Sequence, residues 1–172
     1  MRDRDGQALD AFVRAEHGRL VGLLALHVGS REVAEELAQD AMARLCEHWP
    51  RVRAMGNRRA WLNRVGINLA NSALRRRYAE RRANRRHGPD DEVYVEEHAD
   101  VLAVRRAVAR LPERQRTAVT LRFYEQLTVA ETAAFMECPE GTVKSLVHRA
   151  VGRLREHADL LAPHDDTERT RA

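Results

Sequence analysis

The sequence predicts an all-α protein made of two small helical domains joined by an acidic linker. The chain has 172 residues, enough for one large domain or two small ones. Alanine, leucine, arginine and glutamate dominate, and these residues have high helix propensity. Aromatic residues make up only 5%, which argues against a β-sandwich or barrel. Apolar residues recur at spacings of three, four and seven, the pattern of amphipathic helices.

Composition also excludes several kinds of protein. No stretch approaches the roughly 18 consecutive apolar residues that a membrane-spanning helix needs. Residues 2–5 alternate in charge and lead into no apolar signal-peptide core, so we expect a cytoplasmic protein without membrane insertion. Cys46 and Cys138 form no CxxC pair, and the eight histidines show no HExxH spacing. We therefore expect reduced thiols and neither a metal site nor a cofactor.

The N-terminal domain is predicted over residues 1–86, as three helices packed on one core. The first helix spans about residues 8–28, with Gly29 as its stop and Ser30 as the cap of the next helix. The second helix spans about residues 31–48 and is ended by Pro50. Its predicted inward positions are Ala34, Leu37, Ala38, Ala41 and Leu45.

The third helix, at about residues 59–82, carries the strongest charge feature of the chain. Its predicted apolar stripe is Trp61, Leu62, Val65, Leu69 and Ala73. Another face, spaced four, three and four residues apart, holds Arg64, Asn68, Asn71 and Arg75. Residues 57–86 contain ten arginines against the single acid Glu80. Such a basic block predicts a polyanionic partner.

A negative segment follows at once. Residues 87–100 form the predicted linker and hold six acids but no lysine or arginine. Like charges and few apolar residues prevent such a segment from burying a core of its own. We therefore place a domain boundary here and expect the flexible linker to become ordered only on a partner.

The C-terminal domain is predicted over residues 101–162. The apolar positions of its first helix are Val101, Val104, Val108 and Leu111. Pro112 then opens a second helix, which breaks near residues 125–128. Residues 163–172 are polar and predicted to be a disordered tail.

Residues 128–156 have the pattern of a helix-turn-helix. Thr128 caps a predicted helix over residues 129–136, a tight turn follows, and a second helix runs over about residues 140–157. Glu137 stands where such turns favour glycine in the left-handed conformation, so we expect about 1 kcal/mol of local strain at this residue. The second helix points small and basic residues outward, which suits phosphates and base edges, although a solvated helix can carry such a face. Its predicted inward residues are Val143, Val147, Ala150 and Leu154.

Four segments occur in an order that is typical of one protein family. They are AEELAQDAMARLCEHW, AWLNRVGINLANSALRRRYAERR, ARLPERQRTAVTLRFYEQ and LTVAETAAFMECPEGTVKSLVHRAVGRLRE. Together they resemble bacterial RNA polymerase sigma factors of the extracytoplasmic-function (ECF) group. In that group they are the helix that grips the polymerase clamp, the helix that melts and reads the −10 element, the helix before the promoter-reading motif, and the helix-turn-helix that reads the −35 element. The resemblance covers about residues 8–160.

The resemblance implies a transcription initiation subunit that is not an enzyme. Such a protein binds the clamp and flap of core RNA polymerase, reads −35 and −10 promoter elements, and helps to melt the duplex without ATP. Contacts to extruded bases then offset an unstacking cost of a few kcal/mol per step. An anti-sigma factor is a further partner that is common in the group.

Position within the family's segments also implies the site residues. The polymerase-binding set is Glu35, Glu36, Gln39, Asp40 and Arg44. The −10 set is Asn57, Arg64, Asn68, Asn71, Arg75 and Arg76, with residues 53–57 corresponding to a pocket for a flipped base. The −35 set is Glu140, Gly141, Thr142, Lys144, Ser145, His148 and Arg149. Trp61 fits core packing better than base contact. Leu146 stands where the family often has arginine or glutamine, so we expect one polar DNA contact fewer.

Several alternatives stay open at this point. The linker corresponds to the segment that threads the RNA channel of polymerase, and its six carboxylates fit nucleic-acid mimicry and a simple DNA-repelling spacer equally well. A stand-alone helix-turn-helix regulator explains residues 128–157 but neither N-terminal helix, and no dimerisation heptad is evident. An enzyme lacks support because the sequence shows no GxSxG, Walker loop or metal-ligand spacing.

Overall fold

The computed structural model describes residues 2–83 and 99–161, and this part of the chain is helical nearly throughout. It contains α1 (Arg2–Val28), α2 (Arg31–Val52), α3 (Arg58–Ala83), α4 (Ala99–Ala109), α5 (Glu113–Val119), a π-helical turn (Thr120–Tyr124), α6 (Val129–Met136) and α7 (Glu140–Leu161). We refer to α1–α3 as the N-terminal half and to the elements from α4 to α7 as the C-terminal half. The predicted all-α fold is confirmed. Residues 87–98 of the predicted linker and the whole predicted tail lie outside the described residues.

The helices of the N-terminal half pack around one apolar core. Leu20, Leu23 and Leu24 of α1 are fully buried there, and all five predicted inward residues of α2 are buried. Gly29 ends α1 with a φ of 82°. The Ser30 hydroxyl accepts a hydrogen bond from the backbone N–H of Val33 at 3.3 Å and caps α2. Both predictions are confirmed. Helix caps and stops can be predicted from the sequence because they depend only on neighbouring residues.

Pro50 lies inside α2, so the prediction that it ends the helix is wrong. Proline removes one intrahelical hydrogen bond. However, the last turn buries Trp49 and Val52, and burial of such side chains is worth more than one net hydrogen bond. The backbone N–H of Arg53 still donates to the carbonyl of Trp49 at 2.9 Å.

α3 buries a stripe that differs from the predicted one. Leu62, Ile67, Ala70 and Leu74 are buried, whereas Trp61, Val65, Leu69 and Ala73 pack only partly against the core. The predicted stripe therefore contacts the core but lies at its edge, because side chains of the C-terminal half also contact α3. Trp61 packs at the core edge, with its ring centroid 5.9 Å from that of His48, which agrees with a packing role.

The start of the C-terminal half also departs from its predicted pattern. Val101 and Val104 are exposed, while Val108 and Leu111 are buried. α4 approaches α1 closely at its carboxyl end, where a Cβ built on Gly29 would lie 2.9 Å from the Cβ of Ala109. Pro112 precedes α5 instead of forming its first residue, since its ψ of 143° is extended and not helical.

α6 and α7 form the predicted helix-turn-helix. The Thr128 hydroxyl accepts from the N–H of Glu131 at 3.2 Å, and the Glu131 carboxylate accepts from the N–H of Thr128 at 2.7 Å, a reciprocal capping box. Glu137 adopts a φ of 51° and a ψ of 51°, which confirms the left-handed turn residue.

The inner face of α7 corrects one expectation. Leu146 is buried beside Val143 and Ala150, whereas Val147 is only half-buried. Leu146 is therefore a packing residue of the C-terminal half. A buried leucine makes no polar contact with DNA, so the expectation of one polar DNA contact fewer stays a prediction.

The two halves pack against each other. Leu26 of α1 contacts the C-terminal core, and Leu121 is fully buried in the N-terminal core. Leu127, Phe135 and Met136 pack at the edge of that same N-terminal core. The sequence pattern predicts two domains but not this contact, because the periodicity of a helix does not reveal which distant element covers it.

Candidate polymerase and nucleic-acid interfaces

The outer face of α2 is open to solvent. Glu36, Gln39, Asp40 and Arg44 are all exposed on it, opposite the buried alanines and leucines of the same helix. Glu35 is half-buried and forms an ion pair with Arg31 one turn earlier, at 3.0 Å. The predicted polymerase-binding residues thus form a continuous, mostly acidic surface, which suits a basic partner helix.

The outer face of α7 is also open. Six of the seven predicted −35 residues are exposed and Thr142 is half-buried. The Ser145 hydroxyl donates to the carbonyl of Gly141 at 2.9 Å, and Arg149 Nε donates to the carbonyl of Ser145 at 3.3 Å. Nothing would lie within 4 Å of a Cβ added at Gly141. The amino end of α7 is therefore unobstructed, which a groove-reading helix requires.

The predicted −10 residues of α3 are in a different situation, because the C-terminal half contacts two of them. Arg64 pairs with Glu137 at 2.5 Å, donates to the carbonyl of Phe135 at 3.0 Å, and stacks over the Phe135 ring at 5.0 Å. Arg75 pairs with Glu113 at 3.1 Å. The predicted −10 residues Asn68 and Arg76 are exposed.

Asn71 and Asn57 already have hydrogen-bond partners within the N-terminal half. Asn71 is buried, and its Oδ1 accepts from His27 Nε2 at 2.8 Å. Burial lowers the pKa of His27 to about 4, with the nearby Arg116 charge acting in the same direction, so the ring is neutral at pH 7. The Asn57 side chain accepts from the N–H of Ala60 at 2.9 Å and so caps the start of α3.

Sequence reasoning missed a buried polar network that joins the two halves. Glu16 and Glu125 each expose only a few per cent of their side chains, and Arg19 forms ion pairs with both. Asn63 donates to Glu125 at 2.8 Å and accepts from Arg19 at 2.9 Å. One signal was available: Glu16 falls between Phe12 and Leu20 on the apolar stripe of α1. A carboxylate on an apolar stripe indicates a buried partner.

The electrostatics of Glu16 follow from this network. Burial alone would raise the pKa of its carboxyl, but hydrogen bonds from Arg59, at 2.8 Å, and from Arg19 outweigh that effect and hold the pKa below its usual value. The Glu16 hydrogen bonds in turn raise the pKa of Arg59. Glu16 is therefore a charged group at pH 7 whose partners come from α1 and α3.

Two further observations bear on the class of site. Within residues 2–83 and 99–161, no three histidine, cysteine, aspartate or glutamate side chains come together as a metal site would require. In the same ranges, no helix combines the length and the hydrophobicity that a transmembrane span requires.

Comparison with known proteins connects the two halves to one family. Residues 12–80 match the family "Sigma-70 region 2", and residues 102–154 match "Sigma-70, region 4". RNA polymerase sigma-E factor of Streptomyces coelicolor is 37% identical over 149 residues, covering 86% of this chain and 84% of that protein. ECF RNA polymerase sigma factor SigM of Mycobacterium tuberculosis is 35% identical over 161 residues, covering 87% of this chain and 76% of that protein.

Solved structures agree on the fold. The sigma factor RpoE of Bartonella quintana, in complex with the anti-sigma factor NepR, superposes with a TM-score of 0.74 at 22% identity, covering 90% of this chain and 98% of that one. CnrH in complex with the cytosolic domain of CnrY gives a TM-score of 0.67 at 18% identity, covering 90% of both chains. Both family regions, in the expected order, and relatives matched over most of their length lead to one conclusion: this chain belongs to the ECF group of bacterial RNA polymerase sigma factors.

Proposed function

We propose that three helices divide the work of this sigma factor: α2 binds core RNA polymerase, α3 reads and opens the −10 element, and α7 reads the −35 element. Membership of the family establishes the general activity, which is promoter-specific transcription initiation with core RNA polymerase and no enzymatic step. The residue-level assignment is the proposal. It includes the division into a polymerase- and −10-binding domain at residues 1–86 and a −35-binding domain at residues 101–162.

The observation that carries this assignment is the contrast between the outer faces of α2 and α7. Both are solvent-exposed helix faces, but the first carries Glu36, Gln39 and Asp40, whereas the second carries Lys144, His148 and Arg149. An acidic surface repels DNA and suits a basic protein helix, while a small, basic surface suits a DNA groove. On α3, Asn68 offers an exposed amide for unpaired base edges, and Arg64, Arg75 and Arg76 offer guanidinium groups for phosphates. Asn57 and Asn71 complete the proposed −10 set, and each would have to exchange a hydrogen bond within the N-terminal half for one to a base.

Two partners and a location complete the proposal. The flap of core polymerase would contact the C-terminal half, as the family resemblance implies. An anti-sigma factor is a further proposed partner, since two structures of the same fold were solved as complexes with NepR and with CnrY. We place the protein in the cytoplasm, where core polymerase acts.

Co-elution with purified core RNA polymerase on size exclusion tests the polymerase surface. We expect wild type and Asp10→Arg, an exposed charge reversal on α1, to co-elute equally. Asp40→Arg should weaken the complex about tenfold, or about 1.4 kcal/mol, because it places a cation against a basic partner. Equal binding by Asp40→Arg and Asp10→Arg would contradict the assignment of α2.

A further inference from the structure

One face of α1 contacts both ends of the segment that joins α2 to α3, residues 53–57. At the first end, Asp5 forms an ion pair with Arg53, the residue that caps α2. At the other end, the ring of Phe12 lies under Arg58, the first residue of α3, with 5.5 Å between the guanidinium carbon and the ring centroid. The ion pair is exposed to solvent, so it contributes little energy and mainly fixes a position.

Glu16 is the buried member of the same face of α1. It lies four residues after Phe12 and eleven after Asp5, spacings that align the three side chains along the helix. Only 5% of Glu16 is exposed, and its carboxylate accepts from Arg59 at 2.8 Å and from Arg19 at 2.7 Å. Loss of such a buried contact leaves an uncompensated charge away from water. The pairing of Glu16 is therefore the strongest of the three contacts.

The partner of Glu16 on α3 lies beside the proposed −10 surface. Arg59 is the second residue of α3, and two residues earlier Asn57 caps the helix through the N–H of Ala60, at 2.9 Å. Asn57, Arg59 and Arg64 line one cavity of about 300 Å³, together with residues of α6. A contact that fixes Arg59 therefore also fixes the first turn of α3 and the backbone that leads into it.

The segment between these contacts has little packing of its own. Four of its five residues are exposed, and Met55 packs at the edge of the core. Nothing would lie within 4 Å of a Cβ added at Gly56. A segment of this kind loses conformational entropy when it is ordered by a ligand. If it is already held in place in the free protein, binding retains more of the interaction energy.

We propose that Glu16 is a positioning residue for promoter opening: through Arg59 it fixes the first turn of α3 and holds residues 53–57 in place before DNA binds. The inference rests on the proposed role of Asn57 and this segment as the pocket for a base flipped out of the −10 element. Melting without ATP depends on contacts to the extruded base, and a pocket held in advance makes those contacts at a smaller entropy cost. Glu16 itself is buried beneath the surface and contacts no DNA.

Removal of the flipped base distinguishes a positioning role from a merely structural one. A promoter fragment is selected from genomic DNA of the source bacterium with the holoenzyme, the complex of wild-type chain and core RNA polymerase, and is labelled with a fluorophore. Abasic sites are then placed one at a time along the non-template strand of its −10 element. Fluorescence anisotropy gives the affinity for the intact and for each abasic fragment, and the ratio of the two measures how strongly that base is held.

We expect one position at which base removal weakens binding of the wild-type holoenzyme about thirtyfold, the order of magnitude for contacts to one base. Glu16→Ala should reduce this ratio about tenfold, because a displaced pocket contacts the base poorly. Glu16→Gln keeps a carbonyl acceptor for Arg59 and should recover part of the ratio. Val21→Ala is the control: it removes buried atoms from another face of α1, so any loss of folded protein lowers both affinities alike and leaves the ratio unchanged.

The outcomes separate the inference from the proposal on which it rests. If base removal has no effect at any position in wild type, the assignment of the base pocket fails, and the role of Glu16 with it. If wild type discriminates and Glu16→Ala discriminates equally well, the pocket stands and Glu16 is only a structural residue. An equal fall in the ratio for Glu16→Ala and Val21→Ala would reflect general destabilisation and would also overturn the positioning role.

A second variant covers the case in which Glu16→Ala does not fold. Arg59→Met retains the stem of the side chain and leaves Glu16 paired with Arg19, so the buried carboxylate keeps a partner. Hydrogen exchange of the free chain, followed by mass spectrometry, measures the opening of residues 53–61. We expect Arg59→Met to accelerate exchange there about tenfold and to lower the base ratio, whereas Arg14→Met, the same change at an exposed position of α1, does neither. Unchanged exchange in Arg59→Met would overturn the inference.

Discussion

Single residues that look misplaced in the sequence are explained by their partners in the structure. His27 lies on the buried side of α1, where a polar ring is costly, and Asn71 supplies an acceptor for Nε2 while Nδ1 has no hydrogen-bond partner among the described residues. Glu137 has a side chain in a backbone region that favours glycine. Both residues lead to quantitative predictions about the free energy of unfolding.

His27 makes stability depend on pH. Its pKa in the folded chain is about 4, below the ordinary 6.5, so the unfolded chain takes up the proton first as pH falls. The free energy of unfolding therefore decreases from about pH 6.5 down to about pH 4, by about 3 kcal/mol if the full shift is realised. Urea unfolding at pH 7.5, 6.5, 5.5 and 4.5 measures it.

His27→Gln is the matched variant, since a glutamine amide still donates to Asn71 but does not titrate. We expect its stability to vary less than that of wild type across this range. Parallel pH dependences for the two proteins would show that His27 is not the group responsible. The pKa of Glu16 is below its usual value, so its carboxylate contributes stability that is lost as the pH falls toward that pKa. This loss occurs in both proteins and does not affect the comparison.

Glu137→Gly should raise the stability of the turn. A non-glycine residue in the left-handed region costs about 1–2 kcal/mol of folded-state stability, and glycine removes this cost. Glycine also increases the conformational entropy of the unfolded chain, which offsets part of the benefit, so we expect a net gain in stability of about 0.5 kcal/mol. Glu156→Gly, the same change at an exposed position inside α7, should lower stability by about 1 kcal/mol. Thermal unfolding compares the two. A loss in both variants would mean that the turn conformation carries no strain.

At the scale of elements, helix caps and turn residues could be predicted from the sequence, but the buried face of a helix could not always be predicted. The Ser30 and Thr128 caps, the Gly29 stop and the left-handed Glu137 depend on a few adjacent residues and are as predicted. The buried face of α2 is also as predicted, because one side of that helix packs against the core and the other is open to solvent. Side chains of the C-terminal half also contact α3, so its apolar pattern is ambiguous and the predicted stripe lies at the edge of the core instead of at its centre.

The candidate site divides in the same way. The exposed residues of α2 and α7 follow from helical periodicity, whereas the pairing of Arg64 and Arg75 with the C-terminal half joins residues far apart in the chain. Glu125 gave no local signal, since it lies in a short break between helices. Long-range pairing of this kind is set by tertiary packing, which no local pattern encodes.

The register of α7 yields a test at this scale. Leu146→Arg buries a charge without a partner and should lower the free energy of unfolding by at least about 2 kcal/mol. Ser145→Arg introduces the same side chain at the preceding, exposed position and should change stability by less than about 0.5 kcal/mol. Chemical denaturation of both variants decides. Equal stability, together with tighter DNA binding by Leu146→Arg, would place residue 146 on the outer face.

At the scale of the whole molecule, a change in the charge of the acidic linker distinguishes mimicry of nucleic acid from a role as a simple spacer. Neutralising its six carboxylates to amides at constant length should weaken binding to core polymerase and alter the pattern of abortive RNA products, if they occupy a channel built for polyanion. A linker with the same residues in shuffled order retains its charge and serves as control. Unchanged affinity and products in the neutral variant would leave only the spacer role.

Promoter-directed transcription in vitro tests whether this chain directs core RNA polymerase to specific promoters. Purified chain, core RNA polymerase and genomic fragments of the source bacterium are combined, and the 5′ ends of the RNA are sequenced. We expect discrete start sites that share two upstream elements and that require the chain, with Arg75→Ala and Lys144→Ala each reducing initiation while Asp10→Asn does not. Start sites identical to those of core polymerase alone would show that the chain does not direct promoter recognition.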